Sequence, residues 1–160
     1  MEAMRTMMEK LKLTVNEDKT HLCRVPQEFD FLGYTFGRCY SRVSGKAYIG
    51  SRPSKKSIKR MVQSITEETG RDRLVWEASD VVGRLNRKLN GWANYFCLGP
   101  VSPAYRAINA HVNRRLRQWL CEKHKIQGMG IKRYPDRYLY ETLGLINLPK
   151  RTRNLPWAKA

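Results

Sequence analysis

The side chains whose types and spacing can do chemistry are mainly basic and amide side chains at helical spacing. They fall in three runs of the chain, which contain Lys55, Lys56, Lys59 and Arg60; Arg84, Arg87 and Lys88; and Arg106, Asn113, Arg114 and Arg117. Acidic residues do not alternate with these bases at the i, i+4 spacing that would pair them along a helix. Arg, Lys and Asn suit contacts with phosphate oxygens, which release counterions on binding. The pattern predicts a nucleic-acid-binding surface, whereas the alternative is a merely solvated helix face.

The net charge and its distribution support the same prediction. Lys plus Arg number 31 and Asp plus Glu number 14, so the formal charge is 31 − 14, or +17. Residues 1–37 carry five basic and six acidic side chains, which leaves 26 basic and eight acidic side chains, or +18, for residues 38–160. A fold does not need this charge, whose self-repulsion costs stability, so we expect a polyanionic partner for the second part. An acidic buffer protein is excluded.

Other chemistry finds little support in the sequence. The adjacent acids Glu17-Asp18 and Glu67-Glu68 do not follow an apolar strand as a polymerase carboxylate pair would, and no P-loop or nucleophile motif occurs. Two zinc ligands are conceivable at Cys121-x-x-His124, with Cys97 or His111 completing the site, but a second ligand pair with finger-like spacing is missing. We therefore predict neither a catalytic nor a metal site, and we interpret Cys97 and Cys121 as small buried residues.

Aromatic residues separate into two groups. One group recurs at core spacing on predicted helices and is expected to pack inside: Trp92, Tyr95, Phe96 and Trp119. The other is less constrained and offers candidates for stacking on bases: Tyr40, Tyr48, Tyr134 and Tyr140.

The first part of the chain must supply a short helix and a small β structure. Apolar residues at i, i+3, i+4 and i+7 from Met4 predict the helix, and alternation at Leu13 and Val15 predicts a short strand. The run from Phe29 to Phe36 is β-rich and is broken by Gly33, where another backbone is expected to come close. Tyr48 and Ile49 are candidates for a third strand.

The second part must supply three helices that carry the bases. Ser54 is the predicted N-cap of the first helix and Ser79 of the second, while Pro103 opens the third and longest. On the third helix, Arg106, Asn113, Arg117 and His124 are expected to project away from the apolar stripe. A last short helix is predicted from Pro135 to the C′ residue Gly144, followed by an extended segment, Leu145 to Leu148, and a frayed basic tail.

The apolar segments and the cysteine spacing of the sequence predict its cellular compartment. No run of 18 apolar residues and no apolar leader occurs, and the four cysteines are widely spread. This pattern predicts an intracellular, cytoplasmic protein with reduced thiols and no membrane contact.

Two regions of the sequence, which together contain five short stretches, resemble group II intron reverse transcriptases. Residues 11–20 (LKLTVNEDKT), followed by residues 29–36 (FDFLGYTF), are similar to the last two motifs of the polymerase, although Lys12 stands where a glycine is usual. Downstream, residues 84–86 (RLN), 91–96 (GWANYF) and 114–125 resemble the maturase-specific domain, also called domain X. The resemblance covers roughly residues 3–149.

This resemblance implies an α+β, mainly α fold, in which a small β-hairpin remnant of the reverse transcriptase palm precedes a three-helix thumb bundle. Residues 1–50 would be the C-terminal palm segment with the primer-grip hairpin, residues 51–149 the maturase-specific thumb and residues 150–160 a basic tail. Gly33 would admit the primer backbone. The family's catalytic aspartates, which bind Mg²⁺ in the full-length enzyme, have no counterpart in this chain. No cofactor and no polymerase activity are therefore expected from it.

The function implied is RNA binding that assists intron splicing and holds the template–primer duplex in a longer RNA-directed DNA polymerase. The expected partners are group II intron RNA, an RNA/DNA duplex and the rest of the palm and fingers. Self-association through the exposed palm segment is a further expectation. The alternatives are a general basic RNA- or DNA-binding module, a metal-dependent nuclease using Cys121, His124 and His111, and a remnant without a selected role.

Overall fold

Three antiparallel strands precede the long helices. The computed structural model describes residues 2–14, 16, 27–41 and 44–152. The strands are β1 (Phe29–Phe31), β2 (Tyr34–Tyr40) and β3 (Ala47–Pro53), and they pair in the order β1-β2-β3. The predicted hairpin is confirmed, and the third strand is longer than the two residues expected. Leu32 and Gly33 connect β1 to β2 with φ values of +49° and +81°, as both central residues of a type I′ turn require.

The N-terminal helix α1 (Glu2–Lys10) is present as predicted, but none of its residues is buried. Lys12 follows it with φ +55°, a left-handed conformation that explains why a glycine would be usual at this position. The strand predicted at Leu13 is wrong for Leu13 and Thr14, which lie outside any strand, and Val15 is outside the described residues.

Three helices form the body of the second part, namely α2 (Lys55–Glu68), α3 (Ala78–Tyr95) and α4 (Ser102–Lys123). Ser54 caps α2 as predicted, because its Oγ accepts the Ser57 N–H at 3.1 Å. The predicted cap at Ser79 is wrong: α3 begins two residues earlier than that cap implies, at Ala78, and its N-cap residue, Glu77, makes no side-chain capping bond. A 3₁₀ turn, Arg71–Arg73, connects α2 to α3.

The apolar stripes of the three helices meet in one core. Ile65 of α2, Leu85 of α3 and Leu116 of α4 are fully buried and belong to the same hydrophobic cluster. Tyr105 is also buried, and its hydroxyl donates to the Ala93 carbonyl at 2.9 Å near the end of α3. Burial raises the pKa of this phenol to about 12. The predicted mainly α, α+β architecture is therefore confirmed.

The C-terminal segment, residues 134–148, packs against α4. It contains a π-helical turn (Tyr138–Thr142) and Gly144 at φ +71°, where the last short helix was expected to end, and it leads into α5 (Leu148–Arg151). The predicted extended conformation is wrong at Leu148, which begins α5 and is fully buried. Fraying is likewise wrong for Arg151, whose guanidinium donates to the Asn90 and Asn94 side chains at 2.5 and 2.7 Å. Residues 153–160 of the tail lie outside the described residues.

The sheet is anchored on the C-terminal end of α3. The Tyr34 hydroxyl donates to the Tyr95 carbonyl at 2.6 Å, and the Tyr95 hydroxyl donates to the Leu32 carbonyl at 2.8 Å. The Tyr34 and Phe96 rings lie 5.0 Å apart. The expected boundary between residues 50 and 51 falls inside β3, so one strand spans the two predicted parts.

Within the described ranges, no helix has the length and hydropathy to cross a membrane.

Candidate nucleic-acid interface

The first two turns of α2 present a dense group of cations. Lys55, Lys56, Lys59 and Arg60 are all exposed, and the first turn of the helix contains no acidic residue. The N-terminal end of a helix is the positive pole of its dipole, which repels cations. Local helix stability therefore does not account for these four side chains. Ser54 instead stabilises the helix start, which leaves the lysines free of a capping role.

On α3, Arg84 and Arg87 are exposed, while Lys88 is not free. Arg84 lies with its guanidinium carbon 4.2 Å from the Trp76 ring centroid, and both arginines line a groove of about 540 Å³. The Lys88 ammonium forms a 2.9 Å ion pair with Glu68 and donates to Ser64 Oγ at 2.7 Å. The hydrogen bond from Lys88 lowers the pKa of the Glu68 carboxyl despite its burial. Lys88 therefore joins α3 to α2.

On α4, Arg106 and Arg114 are exposed. The Arg114 guanidinium lies 3.2 Å from Nδ1 of His111, and Nε2 of His111 lies 3.0 Å from the Thr66 hydroxyl. Since the Thr66 hydroxyl donates to the Val62 carbonyl, its oxygen accepts from Nε2–H, and Nδ1 then accepts from Arg114. This relay of hydrogen bonds joins α4 to α2 through His111, and the exposed Arg114 is bonded to His111 on its own helix.

Asn113 and Arg117 were predicted to project into solvent, but the structure covers both side chains. Asn113 is buried, and its amide donates to the Tyr140 hydroxyl at 2.6 Å. The Arg117 side chain is 13% exposed, forms an ion pair with Asp136 and donates from Nε to the Tyr134 carbonyl at 2.8 Å. The expectation that they face away from the core is wrong, because the C-terminal segment covers that side of α4.

Gly33 lies in the β1–β2 turn, where a side chain would meet protein. A Cβ there would lie 3.0 Å from the Phe96 ring, and the φ of +81° disfavours any other residue. The fold alone thus accounts for glycine at this position.

Among the described residues, most of the candidate cations form no ion pair with a carboxylate. Among the ten Lys and Arg candidates, Lys88 and Arg117 form ion pairs with acidic residues. Within the part of the chain that the structure describes, the other eight are exposed and form no ion pair: Lys55, Lys56, Lys59, Arg60, Arg84, Arg87, Arg106 and Arg114. We call these eight side chains the cationic set. None of the eight is held in an ion pair by the described residues, so each can approach a polyanion.

A metal centre finds no support in the geometry. In residues 2–14, 16, 27–41 and 44–152, no three His, Cys, Asp or Glu side chains come together as a ligand group. Cys121 is buried beside Gly130, His124 is exposed, and His111 is bound to Thr66 and Arg114. The three residues of the nuclease alternative are thus in different surroundings.

Sequence reasoning missed two structural roles of basic residues. Arg115 donates to the Thr69 hydroxyl and carbonyl at 3.0 and 2.8 Å, and Lys123 donates to the Trp76 carbonyl at 2.5 Å. Both side chains bind carbonyls at or beyond the end of α2. In the sequence, the position of both residues beside the apolar stripe of α4 was the signal that could have predicted contacts with protein.

The fold and the cationic set define a basic helical domain that follows a small antiparallel sheet. A sequence model of the group II intron maturase-specific domain matches residues 58–138, just over half of the 160-residue chain. The chain therefore belongs to this maturase family, as its resemblance predicted, and membership implies involvement in group II intron splicing. No curated protein matches the chain.

Proposed function

We propose that the helical part of this protein binds the phosphate backbone of structured group II intron RNA through the cationic set, and that this binding assists splicing. The carrying observation is that eight exposed Lys and Arg side chains on α2, α3 and α4 have no carboxylate partner in the described structure. Six of them fall inside the matched maturase-specific domain, and Lys55 and Lys56 immediately precede it.

Phosphate contact predicts a steep dependence of affinity on salt. Each neutralised phosphate releases counterions and adds close to one unit to the slope of log affinity against log salt. We therefore expect the dissociation constant for a folded intron RNA to rise steeply between about 50 and 200 mM salt. A dissociation constant that stays flat over this range would exclude the proposal.

A pair of charge-matched variants tests the location of the interface. The first variant changes Lys55, Lys56, Lys59 and Arg60 to Gln. The control changes four exposed cations of the N-terminal part and the sheet to Gln: Lys10, Lys12, Arg38 and Lys46. Net charge is equal in the two variants, so a purely long-range effect would weaken binding equally in both.

We expect the α2 variant to lose affinity by about 10- to 100-fold at low salt and to lower the salt slope by about 3, with the control close to wild type. Equal losses in the two variants would contradict a localised interface. Competition by an unrelated duplex as effective as intron RNA would indicate the alternative, a general basic nucleic-acid-binding module.

We further propose that the protein holds the template–primer duplex within a reverse transcriptase polymerase. Support comes from the resemblance of residues 29–36 to a polymerase motif and from the anchoring of the hairpin on α3. A substitution at Gly33 does not isolate this role, since it would strain the turn and meet Phe96. Crosslinking of an RNA/DNA duplex that carries a photoreactive primer end tests it, with labelling of residues 29–36 expected and labelling confined to other regions contradicting it.

The N-terminal part offers a surface for the rest of the palm. Met7, Leu11, Leu13, Phe31 and Leu32 are each more than half exposed. Exposed apolar side chains in this number mark an interaction surface, and we propose that the palm and fingers of the polymerase cover them. Sedimentation of the isolated chain tests the alternative, because association that is lost on changing Met7 and Leu11 to Ser would indicate that a second copy covers this surface.

A further inference from the structure

A cavity at the C-terminal end of α4 is separate from the cationic set. It has a volume of about 850 Å³ and is lined by His124, Ile126, Arg133, Tyr134 and Tyr138. This size lies in the range that binds small organic groups. We call it the aromatic cavity.

Three rings of the aromatic cavity form a connected series. The Tyr134 ring centroid lies 5.4 Å from that of Tyr138 and 6.3 Å from that of His124, with interplanar angles of 43° and 38°. Tyr134 is buried and fixes the series, whereas Tyr138 is half-buried and His124 is exposed. The two outer rings therefore keep accessible surface on which a planar group can stack.

The polar groups of the cavity suit a nucleotide. Arg133 is exposed, lies beside the Tyr134 phenol and forms no ion pair within the described residues. None of the described residues that line the cavity is a carboxylate. The ring nitrogens of His124 have no hydrogen-bond partner in the described part of the chain, so they are available to a base edge or a ribose hydroxyl.

We propose that the aromatic cavity holds one unpaired nucleobase of the bound RNA, with the base against Tyr138 and His124 and a flanking phosphate on Arg133. Proteins recognise single-stranded RNA positions by stacking splayed bases on aromatic rings and arginine planes. The proposal rests on the proposed RNA binding and adds a preference that phosphate contacts alone do not give, because phosphates are present in every duplex.

Two RNA hairpins that differ only by one bulged adenine test the proposal. We expect the wild-type chain to bind the bulged RNA about tenfold more tightly than the fully paired RNA at the same salt concentration. In a variant with His124→Ala and Arg133→Gln, which alters only exposed side chains, the two RNAs should bind with equal affinity. The matched control is Arg137→Gln, a nearby exposed arginine already paired with Glu141, and it should keep the preference.

A fluorescent base reports on stacking directly. With 2-aminopurine at the bulge, wild-type protein should quench the fluorescence, and Tyr138→Leu, which keeps apolar volume but removes the ring, should reduce the quenching. A DNA hairpin with the same bulge shows which parts of the nucleotide are bound. An equal preference for bulged DNA and bulged RNA would mean that the cavity binds only the base and the phosphate. A preference for the bulge in RNA alone would show an additional contact with the ribose hydroxyl.

The outcomes separate this inference from the function on which it rests. Steeply salt-dependent binding that is equal for bulged and paired RNA would overturn the aromatic cavity as a base site and leave the proposed function intact. A preference that survives in the double variant would overturn it as well. Failure to bind either RNA would overturn the proposed function and this inference together.

Discussion

The first two turns of α2 and the side of α4 opposite its apolar stripe carry the same kind of sequence signal but have different roles. Both present Lys, Arg or Asn off a buried stripe, and both are predicted to contact phosphate. In the structure, Lys55, Lys56, Lys59 and Arg60 of α2 are exposed. On α4, Asn113 and Arg117 are covered and bound to protein groups.

The difference arises from what packs on the second side of each helix. On α4, the Asn109 amide donates to the Tyr140 hydroxyl at 2.8 Å, and its oxygen accepts the Leu148 N–H at 3.1 Å. These bonds fix the C-terminal segment on α4. In the described structure, no second segment covers the four cations at the start of α2 in this way, and all four are exposed. A polar side chain off the apolar stripe is therefore on the surface only if no second element covers it.

The largest expected effect tests whether the covering segment stabilises the fold. Leu148→Ala removes a fully buried side chain and should lower the free energy of unfolding by about 2–5 kcal/mol, because a cavity is left beneath the segment. Urea unfolding measures the loss, with exposed Lys150→Ala as the control that should stay within about 0.5 kcal/mol. A loss below about 0.5 kcal/mol for Leu148→Ala would mean that the segment contributes little and that α4 is effectively uncovered.

The next effect separates structural from RNA-binding arginines on the same helix. Arg117→Gln removes the ion pair with Asp136 and the bond to the Tyr134 carbonyl, so stability should fall by about 1–3 kcal/mol. The slope of RNA affinity against salt should not change. A lower salt slope with an unchanged free energy of unfolding would show that Arg117 leaves Asp136 to bind RNA. The distinction between structural and RNA-binding arginines on α4 would then be wrong.

Arg106→Gln should give the reverse result. Arg106 is exposed and forms no ion pair in the described residues, so stability should stay within about 0.5 kcal/mol of wild type. If it contacts a phosphate, the salt slope should fall by about 1. Filter binding over a salt series measures the slope, and an unchanged slope would remove Arg106 from the cationic set's contacts.

The smallest effect concerns pH and the relay between α2 and α4. Burial, followed by the charges of Arg114 and Arg115, lowers the pKa of His111 below its usual 6.5. The folded state then binds this proton less readily than the unfolded state. The stability contribution is present above pH 6.5 and is lost as pH falls through the lower, folded-state pKa.

Unfolding of wild type and His111→Gln between pH 8 and 5 measures this contribution. The free energy of unfolding of wild type should fall more steeply below pH 6.5 than that of the variant, with a constant difference between them at higher pH. Parallel curves over the whole range would contradict the inferred state of His111.

The sequence by itself determined the three long helices, the first hairpin and the family. Apolar residues at helical spacing located the core faces of α2, α3 and α4, and local signals placed the Ser54 cap, the Pro103 helix start and the Gly33 turn. These features depend on neighbours within a few residues, which a single sequence displays. The motif resemblance located the maturase-specific domain, which the family match confirmed.

Only the tertiary structure decided which polar residues are free. Lys88 binds Glu68, 20 positions earlier in the chain, and Arg117 binds Asp136, 19 positions later. Such pairings depend on how elements distant in sequence pack, and helical periodicity gives only a direction from the helix axis. The aromatic cavity has the same origin, because His124 and Tyr134 meet only after the loop after α4 folds back on the helix end.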